Sequence, residues 1–232
     1  MTQRFGELAA VKNMSFEVEE GTVFGIAGPN GAGKSTLFNA ITGFYRYSGD
    51  IYFNNEKISP LRPHQICHKG IARTFQIPQL FHTLSVGQNV RVGTYFGNLE
   101  KRDEKHEIEE ALCFVGLEGK EDLIAGNLNL FYKKLTMVAI ALATKPKLVL
   151  LDEPMGGLSP TETKDFMTLV KRMNGELGIT IMIIEHLMKP LTALSDQLMI
   201  ICNGEKVMID APQKVIADKK VIEIYLGGRF HA

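Results

Sequence analysis

Cysteine is scarce in this sequence, and the cysteines that occur are scattered. Cys67, Cys113 and Cys202 are odd in number, and no two of them form a Cys-x-x-Cys pair. Disulfide frameworks use even sets of cysteines, and zinc sites use closely spaced ones. The sequence therefore predicts neither kind of site and fits the reducing environment of a cytosol.

Long hydrophobic runs are missing as well. The first six residues contain no apolar segment of the kind that forms the centre of a secretory signal. The longest apolar runs, such as 137–143, are far shorter than the roughly 18 residues that a membrane-spanning helix needs. We therefore expect a chain that does not cross a membrane, although it can still bind to the surface of one.

An excess of charge of one sign is the third missing feature. The 232 residues carry 26 Lys and Arg against 26 Asp and Glu, so the chain as a whole has no attraction to nucleic acid or to anionic lipid. We expect no nucleic-acid partner. With 45% hydrophobic residues, the chain can bury a large core, as one domain or as a core with a subdomain.

A glycine-rich loop is the feature around which the rest of the chain is organised. Residues 28–36 match the phosphate-binding pattern Gly-x-x-x-x-Gly-Lys-[Ser/Thr] at every fixed position, between an apolar strand at 23–27 and a helix at 37–42. Backbone N–H groups and the helix N-terminus of such a loop bind a polyphosphate. The candidate nucleotide-binding residues are Gly28, Pro29, Asn30, Gly31, Ala32, Gly33, Lys34, Ser35 and Thr36. Among them, Lys34 would reach the β- and γ-phosphates and Ser35 would bind Mg²⁺.

The segments on either side of this loop predict a mixed sheet. Polar and apolar residues alternate at 15–19, which indicates a half-exposed strand. Another strand is predicted at 51–53, with Asn54-Asn55 as the turn that follows it. We expect antiparallel strands near the beginning of the chain and parallel strands later.

The later strands are predicted from apolar runs at 70–75, 147–151 and 179–184. A helix begins at 159–162, because Ser, Pro and Glu stand at the N-cap, N1 and N3 positions. Its predicted buried stripe consists of Phe166, Leu169, Val170, Met173 and Leu177. The chain then predicts a hairpin around Asn203-Gly204 and two short helices.

Residues 77–144 differ from these segments because their pattern is mostly helical. We interpret this stretch as a helical subdomain inserted into the sheet domain. The chain is then a single domain over 1–232, with a nucleotide-binding core at 1–76 and 145–232.

Four polar residues follow apolar strands of the predicted parallel sheet, namely Gln76, Asp152, Glu153 and His186. Ligands bind outside the carboxyl ends of parallel strands, so all four would face the phosphates. Asp152 suits Mg²⁺ through a water, together with Ser35. Glu153 would orient or deprotonate the attacking water, and Gln76 would bridge water and metal. His186 would donate to the γ-phosphate as its charge develops.

Together, the glycine loop and these strand-end residues resemble the ATP-binding-cassette (ABC) ATPases. Nearly the whole chain is covered by this resemblance. The segments most similar to the ATP-binding subunits of branched-chain amino-acid importers, whose relatives also move urea and amides, are 73–78, 153–160, 184–186 and 221–227. The resemblance implies an α/β fold with a P-loop NTPase core of the RecA-like type, a mixed sheet, an antiparallel β subdomain and an inserted α-helical subdomain.

The same resemblance implies ATP and Mg²⁺ as cofactors, with ATP hydrolysed between two such subunits. Each subunit would dock on a membrane permease at the cytoplasmic face of the cell membrane, and an extracytoplasmic solute-binding protein would take part indirectly. It suggests Phe5 as the aromatic that stacks on adenine, with Val11 beside it. It also places the loop known in the family as the D-loop at Gly157, Leu158 and Ser159.

The sequence departs from the family in its signature loop, Leu-Ser-x-Gly-Gln or similar, which reaches the γ-phosphate held by the partner. The corresponding residues are Leu128, Asn129, Leu130, Phe131 and Tyr132. Phe131 at a glycine position should prevent the close backbone approach that a phosphate requires. Met137 and Ile140 also replace an acid and an arginine that are usual in the family. Two interpretations stay open: a relaxed variant that still works, or an asymmetric heterodimer in which a different subunit supplies an intact signature.

A second departure concerns the beginning of the chain. Relatives have a strand before the adenine-stacking aromatic, whereas Phe5 follows Met1 closely. Either that first strand is absent, which would leave the adenine site loose, or the natural start lies upstream.

Three other functions compete with an importer ATPase. A soluble cassette ATPase that acts on DNA or the ribosome is disfavoured by the neutral charge and by the lack of a coiled-coil insertion. A P-loop GTPase or kinase is disfavoured because no Asn-Lys-x-Asp motif occurs and because Glu153-Pro154 with His186 fits neither class. A non-hydrolysing binding subunit is kept open by Phe131. The sequence does not identify the transported solute.

Overall fold

The computed structural model describes residues 1–96 and 103–226, and Gly227 of the importer-like segment lies outside them. Its strands are β1 (Gln3–Phe5), β2 (Leu8–Val11), β3 (Val23–Ala27), β4 (Tyr52–Phe53), β5 (Glu56–Lys57), β6 (Ile71–Thr74), β7 (Leu148–Asp152), β8 (Thr180–Ile184), β9 (Gln197–Cys202) and β10 (Glu205–Asp210). Its helices are α1 (Lys34–Ile41), α2 (Pro63–His68), α3 (Val86–Phe96), α4 (Glu104–Val115), α5 (Leu130–Ala143), α6 (Pro160–Gly175), α7 (Met188–Leu194), α8 (Pro212–Ala217) and α9 (Lys219–Leu226). A short 3-10 helix occupies Ala125–Asn127.

The central element is a six-stranded sheet with the order β10-β9-β3-β8-β7-β6. All neighbouring strands in it are parallel except the β9–β10 hairpin. Every residue of β3, β7 and β8 is buried, which explains their continuous apolar runs. Because β3, β6, β7 and β8 run in one direction, the residues that follow them meet at one edge of the sheet. The mixed α/β fold that the sequence predicts is confirmed.

Two small antiparallel sheets lie outside the central sheet, one formed by β1 and β2 and the other by β4 and β5. Asn54 and Asn55 form the predicted turn between β4 and β5 with φ values of 49° and 61°. The presence of β1 corrects one expectation, because a strand that contains Phe5 does precede the loop to β2.

The strand predicted at 15–19 is wrong, since these residues belong to none of the strands. Their alternation is nevertheless visible as burial, with Phe16 and Val18 partly buried between exposed neighbours. Phe16 stacks on Phe24 of β3 at 5.5 Å between ring centroids. Alternation of polar and apolar residues indicates an extended segment with one buried side. Such a segment forms a strand only when a neighbouring strand hydrogen-bonds to its backbone.

Helix α6 begins as predicted, since Ser159 Oγ accepts a hydrogen bond from Glu162 N and the Glu162 carboxylate accepts one from Ser159 N. The predicted buried stripe is correct for its first four members and wrong for Leu177, which is 46% exposed. Leu177 lies beyond the end of the helix at Gly175, so helical periodicity no longer determines where its side chain points.

Between β6 and β7 the chain forms α3, α4 and α5, which pack against one another. They lie within the predicted helical subdomain at 77–144, whose division from the core stays a prediction. No helix in the described ranges combines the length and apolar character that a bilayer crossing needs, and the longest, α6, has 16 residues.

Candidate active site

The glycine-rich loop connects β3 to α1 and fits closely against neighbouring backbone. Gly28 has φ 154°, and a Cβ atom there would lie 2.0 Å from the Ile201 carbonyl oxygen. Gly33 has φ 101°, and its Cβ would lie 2.2 Å from the Ala10 carbonyl oxygen. Two of the glycines are therefore required by the packing of the loop itself, before any phosphate binds.

Lys34 points into the centre of this loop. Its Nζ donates hydrogen bonds to the carbonyl oxygens of Gly28 at 2.7 Å and Pro29 at 2.9 Å. Burial lowers the pKa of Lys34, and the negative charges of Glu153 and Asp152 oppose that effect. Ser35 follows in the first turn of α1 and is exposed. An anion that entered the loop would meet a desolvated ammonium group and the N-terminus of a helix.

Glu153 lies between two of the other predicted residues. Its Oε2 accepts a hydrogen bond from Gln76 Nε2 at 2.6 Å, and its Oε1 lies 2.6 Å from His186 Nε2. An ionised carboxylate only accepts hydrogen bonds, so this contact requires the His186 tautomer that carries a hydrogen on Nε2. Three residues that follow three different strands therefore meet around one carboxylate.

Asp152 is held by a residue to which sequence reasoning assigned no role. Arg73 Nη2 lies 2.7 Å from Asp152 Oδ2, and both side chains are about 95% buried. Arg73 also donates to Asn39 Oδ1 at 2.6 Å and lies over the rings of Phe38 and Phe75. Arg73 stands in the importer-like segment at 73–78, but a single arginine within a strand gives no signal that it pairs with a distant acid.

The other oxygen of Asp152 fits a metal site. Oδ1 is buried and has no hydrogen-bond partner in the described part of the chain, whereas buried carboxylate oxygens are usually satisfied. Mg²⁺ takes few protein carboxylates and keeps several waters, so one free carboxylate oxygen close to the phosphate loop is a suitable donor. The residues present therefore fit the predicted ion.

We expect Arg73→Met to lower the free energy of unfolding by about 3–5 kcal/mol, because it leaves the buried Asp152 charge without its partner. Urea unfolding of the purified chain measures this change. Adding Asp152→Asn to Arg73→Met should recover part of the loss. Arg46→Met, at an exposed position, is the matched control. An unfolding energy that stayed within 1 kcal/mol of the wild type would contradict a tight Arg73–Asp152 pair.

The predicted adenine residues occupy different environments. Phe5 is exposed, and Tyr45 packs edge-on against it at 5.1 Å between ring centroids. Val11 is fully buried, and its Cγ2 would lie 3.5 Å from a Cβ on Gly33. Phe5 is therefore accessible to a base, whereas Val11 has no exposed surface and lies close to Gly33 of the glycine loop. Tyr45 is a neighbour of Phe5 that sequence reasoning missed.

The residues at the signature positions are engaged within their own chain. Asn129 is the N-cap of α5, and its Oδ1 accepts a hydrogen bond from Tyr132 N at 2.9 Å. Leu130 covers Gly157 so closely that a Cβ on this glycine would lie 2.9 Å from Leu130 Cδ2. Phe131 packs against the hydrophobic core, and Leu128 is buried in it. Asn129, Leu130 and Phe131 therefore all make contacts within this chain.

The D-loop positions follow directly after the catalytic candidates. Gly157 has a left-handed φ of 78°, Leu158 packs against the core, and Ser159 caps α6. As the N-cap of α6, Ser159 stabilises this helix whether or not a second ATPase subunit is bound.

Comparisons with known proteins show which family and which relatives this chain is similar to. A family model described as "ABC transporter" matches residues 11–156. The high-affinity branched-chain amino acid transport ATP-binding protein BraF of Pseudomonas aeruginosa is 34% identical over 98% of this chain and 95% of its own length. The probable branched-chain amino acid transport ATP-binding protein LivG of Methanocaldococcus jannaschii is 35% identical over 96% of this chain and 93% of its own.

One solved structure has a fold similar to that of this chain. The ADP conformation of MJ1267, an ATP-binding cassette of an ABC transporter, superposes with a TM-score of 0.87 at 33% identity. The match covers 97% of this chain and 96% of that one.

Proposed function

Because the chain belongs to the ABC transporter family, we propose that it is the ATP-binding and ATP-hydrolysing subunit of an importer of branched-chain amino acids or a similar small solute. The observation that carries this proposal is the position of Glu153 between Gln76 and His186, close enough to Lys34 of the phosphate loop for its charge to oppose the lowering of the pKa of that lysine by burial. The core at 1–76 and 145–232 would bind the nucleotide. The helical subdomain at 77–144 would transmit the structural change caused by ATP binding and hydrolysis to the permease.

The geometry indicates how these residues would act on ATP. Lys34 and the backbone of the glycine loop would bind the β- and γ-phosphates, while Phe5 stacks on the base. Each oxygen of Glu153 accepts one hydrogen bond in this structure and keeps a second lone pair, with which Glu153 would take a proton from the attacking water. His186 would then turn its N–H to the γ-phosphate, and Gln76 would orient the water.

Mg²⁺ would be held by Ser35, Asp152 and Gln76. When bound, it would neutralise charge on the phosphate oxygens that face it. Arg73 binds Oδ2 of Asp152, so Oδ1 would be the oxygen available to hold the ion through a water.

The engaged signature residues support a partner of different sequence. Phe131 fills the place of a glycine, so this chain would complete the partner's ATP site poorly. A second ABC ATPase with an intact signature would complete the site built from Lys34, Glu153 and His186. A subunit that binds ATP without hydrolysing it is the second candidate function. If the partner also lacked glycine at the position of Phe131, neither ATP site would be completed by an intact signature.

Restoring glycine at this position tests the asymmetry. We expect Phe131→Gly to raise ATP turnover of the assembled transporter by up to about two-fold, because a second site would gain backbone donors for its phosphate. Phosphate release by the purified complex measures turnover, and Phe114→Leu on the neighbouring helix α4 controls for loss of an aromatic. Turnover that did not change would favour the relaxed variant over the asymmetric pair.

The permease would bind beside Gln76. Four large apolar side chains near this residue and at the end of α3 are exposed, namely Ile77, Phe81, Tyr95 and Phe96. These side chains would supply apolar contact area to a partner that binds there. Contact with the permease would place the chain peripherally at the cytoplasmic face of the membrane, and a solute-binding protein would act through the permease.

Transport assays test the whole proposal. The complex with its permease, reconstituted in vesicles with the solute-binding protein, should hydrolyse ATP faster when leucine, isoleucine or valine is added. If only urea or an amide stimulated hydrolysis, the proposed solute class would be wrong, and the proposed ATP hydrolysis would still stand. A complex that binds ATP without releasing phosphate would favour the non-hydrolysing subunit.

A further inference from the structure

A buried lysine on α5 reaches the backbone of the proposed catalytic glutamate. Lys134 is 3% exposed, and its Nζ donates a hydrogen bond to the Glu153 carbonyl oxygen at 3.1 Å. Burial lowers the pKa of Lys134, whereas the charges of Glu185 and Glu153 oppose that effect. An ammonium group in such a place costs free energy unless its partners are well placed.

Glu185 is the acidic counterpart, and it is 1% exposed. One oxygen accepts the N–H of Met155 at 2.6 Å, and the other accepts the N–H of His186 at 3.1 Å. The loop after β7 and the loop after β8 are therefore joined through one carboxylate. These are the loops that carry Glu153 and His186.

The backbone of Glu153 needs such support. Its φ is 47°, in the left-handed region that residues other than glycine adopt at a cost of about 1–2 kcal/mol. Strained residues of this kind persist only where their surroundings hold them, and they cluster at functional sites. Glu153 N donates to the Ile184 carbonyl, so Lys134 and β8 hold the two ends of the same residue.

We propose that Lys134 and Glu185 are positioning residues that hold Glu153 and His186 in contact, and that Lys134 makes the position of Glu153 depend on helix α5. This inference rests on the proposed ATP hydrolysis. Helix α5 begins at the signature positions, so a partner that moves its N-terminus would displace the Glu153 peptide through Lys134. A displacement of one ångström at a reacting group is enough to lower a rate by about two orders of magnitude.

The test compares kcat with ATP affinity in the assembled transporter. Lys134→Met should lower kcat by about 10- to 100-fold and change the Kd for ATP by less than two-fold. Lys134→Arg, which keeps the cation, should recover most of the rate. Lys133→Met is the matched control, because Lys133 is the neighbouring lysine on the same helix. A normal kcat in Lys134→Met, or equal losses in kcat and ATP affinity, would overturn the inference.

Amide hydrogen exchange in the isolated chain gives a second readout that needs no hydrolysis. Glu185→Gln and Lys134→Met should each speed exchange of the Met155 and His186 amides, while amides in β9 and β10 exchange as before. If the wild-type complex hydrolyses no ATP, the proposed function fails and these amides still decide the positioning role. Unchanged exchange would overturn that role, and so would faster exchange spread evenly over the whole chain, because it would show general destabilisation.

Discussion

Replacing Glu153 by Gln is expected to lower ATP turnover of the assembled transporter by about 10²–10⁴-fold, the usual contribution of a general base. Glutamine has the same shape and keeps a hydrogen-bond acceptor for Gln76 or His186, but it cannot take a proton from water. ATP affinity should change little, because the phosphates would be bound by Lys34 and the glycine loop. Steady-state phosphate release together with equilibrium ATP binding measures both quantities.

The control for this experiment is Glu176→Gln, which removes an exposed acid whose partner is Arg172. The same substitution in the second ATPase subunit distinguishes the two interpretations of the signature. In an asymmetric pair, only the change in this chain stops turnover. Near-normal hydrolysis with Glu153→Gln in this chain would refute both the catalytic role and the asymmetry.

Two alanine substitutions in one loop should have very different effects on stability. We expect Gly33→Ala to lower the free energy of unfolding by more than about 3 kcal/mol, because its Cβ would overlap the Ala10 carbonyl oxygen at 2.2 Å. Gly31→Ala should cost only about 1–2 kcal/mol, since its φ of 77° is left-handed but its Cβ would meet open space. Urea unfolding of both purified variants measures the difference.

The same two variants separate packing from phosphate binding. If Gly33 were needed only to approach a phosphate, Gly33→Ala would lose ATP affinity and keep its unfolding energy. The overlap with Ala10 predicts that both are lost, because the strand β2 and the loop must move apart. Equal unfolding energies for the two variants would show that the loop accommodates a side chain at position 33.

Local pattern was a good guide where a structure depends on neighbours in the sequence. The glycine loop, the capping box at Ser159 and the Asn203-Gly204 hairpin all appear where short-range rules place them. The same rules failed at 15–19 and at Leu177, because strand pairing and side-chain direction beyond a helix end depend on what lies nearby in space.

Pairs of distant residues were outside the reach of such rules. Arg73 and Asp152 are 79 residues apart, and nothing in either segment indicates that they meet. Nothing in the sequence sets Lys134 apart from Lys133 beside it, yet Lys134 is buried and donates to the Glu153 carbonyl oxygen. Burial of a charge becomes visible only when the elements that surround it are assembled.

For the glycine loop at 28–36, the sequence by itself determined the strand–loop–helix context and predicted the ligand class, because the loop follows a recognisable strand and opens a helix. The strand-end position of Glu153 and His186 also followed from pattern, since parallel strands end at one edge. Only the tertiary structure decided that Glu153 accepts a hydrogen bond on each oxygen. It also decided that Asp152 Oδ1 has no hydrogen-bond partner within residues 1–96 and 103–226, and that the residues at 128–132 make contacts within their own chain. These features depend on distances between segments that are remote in sequence, and folding alone sets such distances.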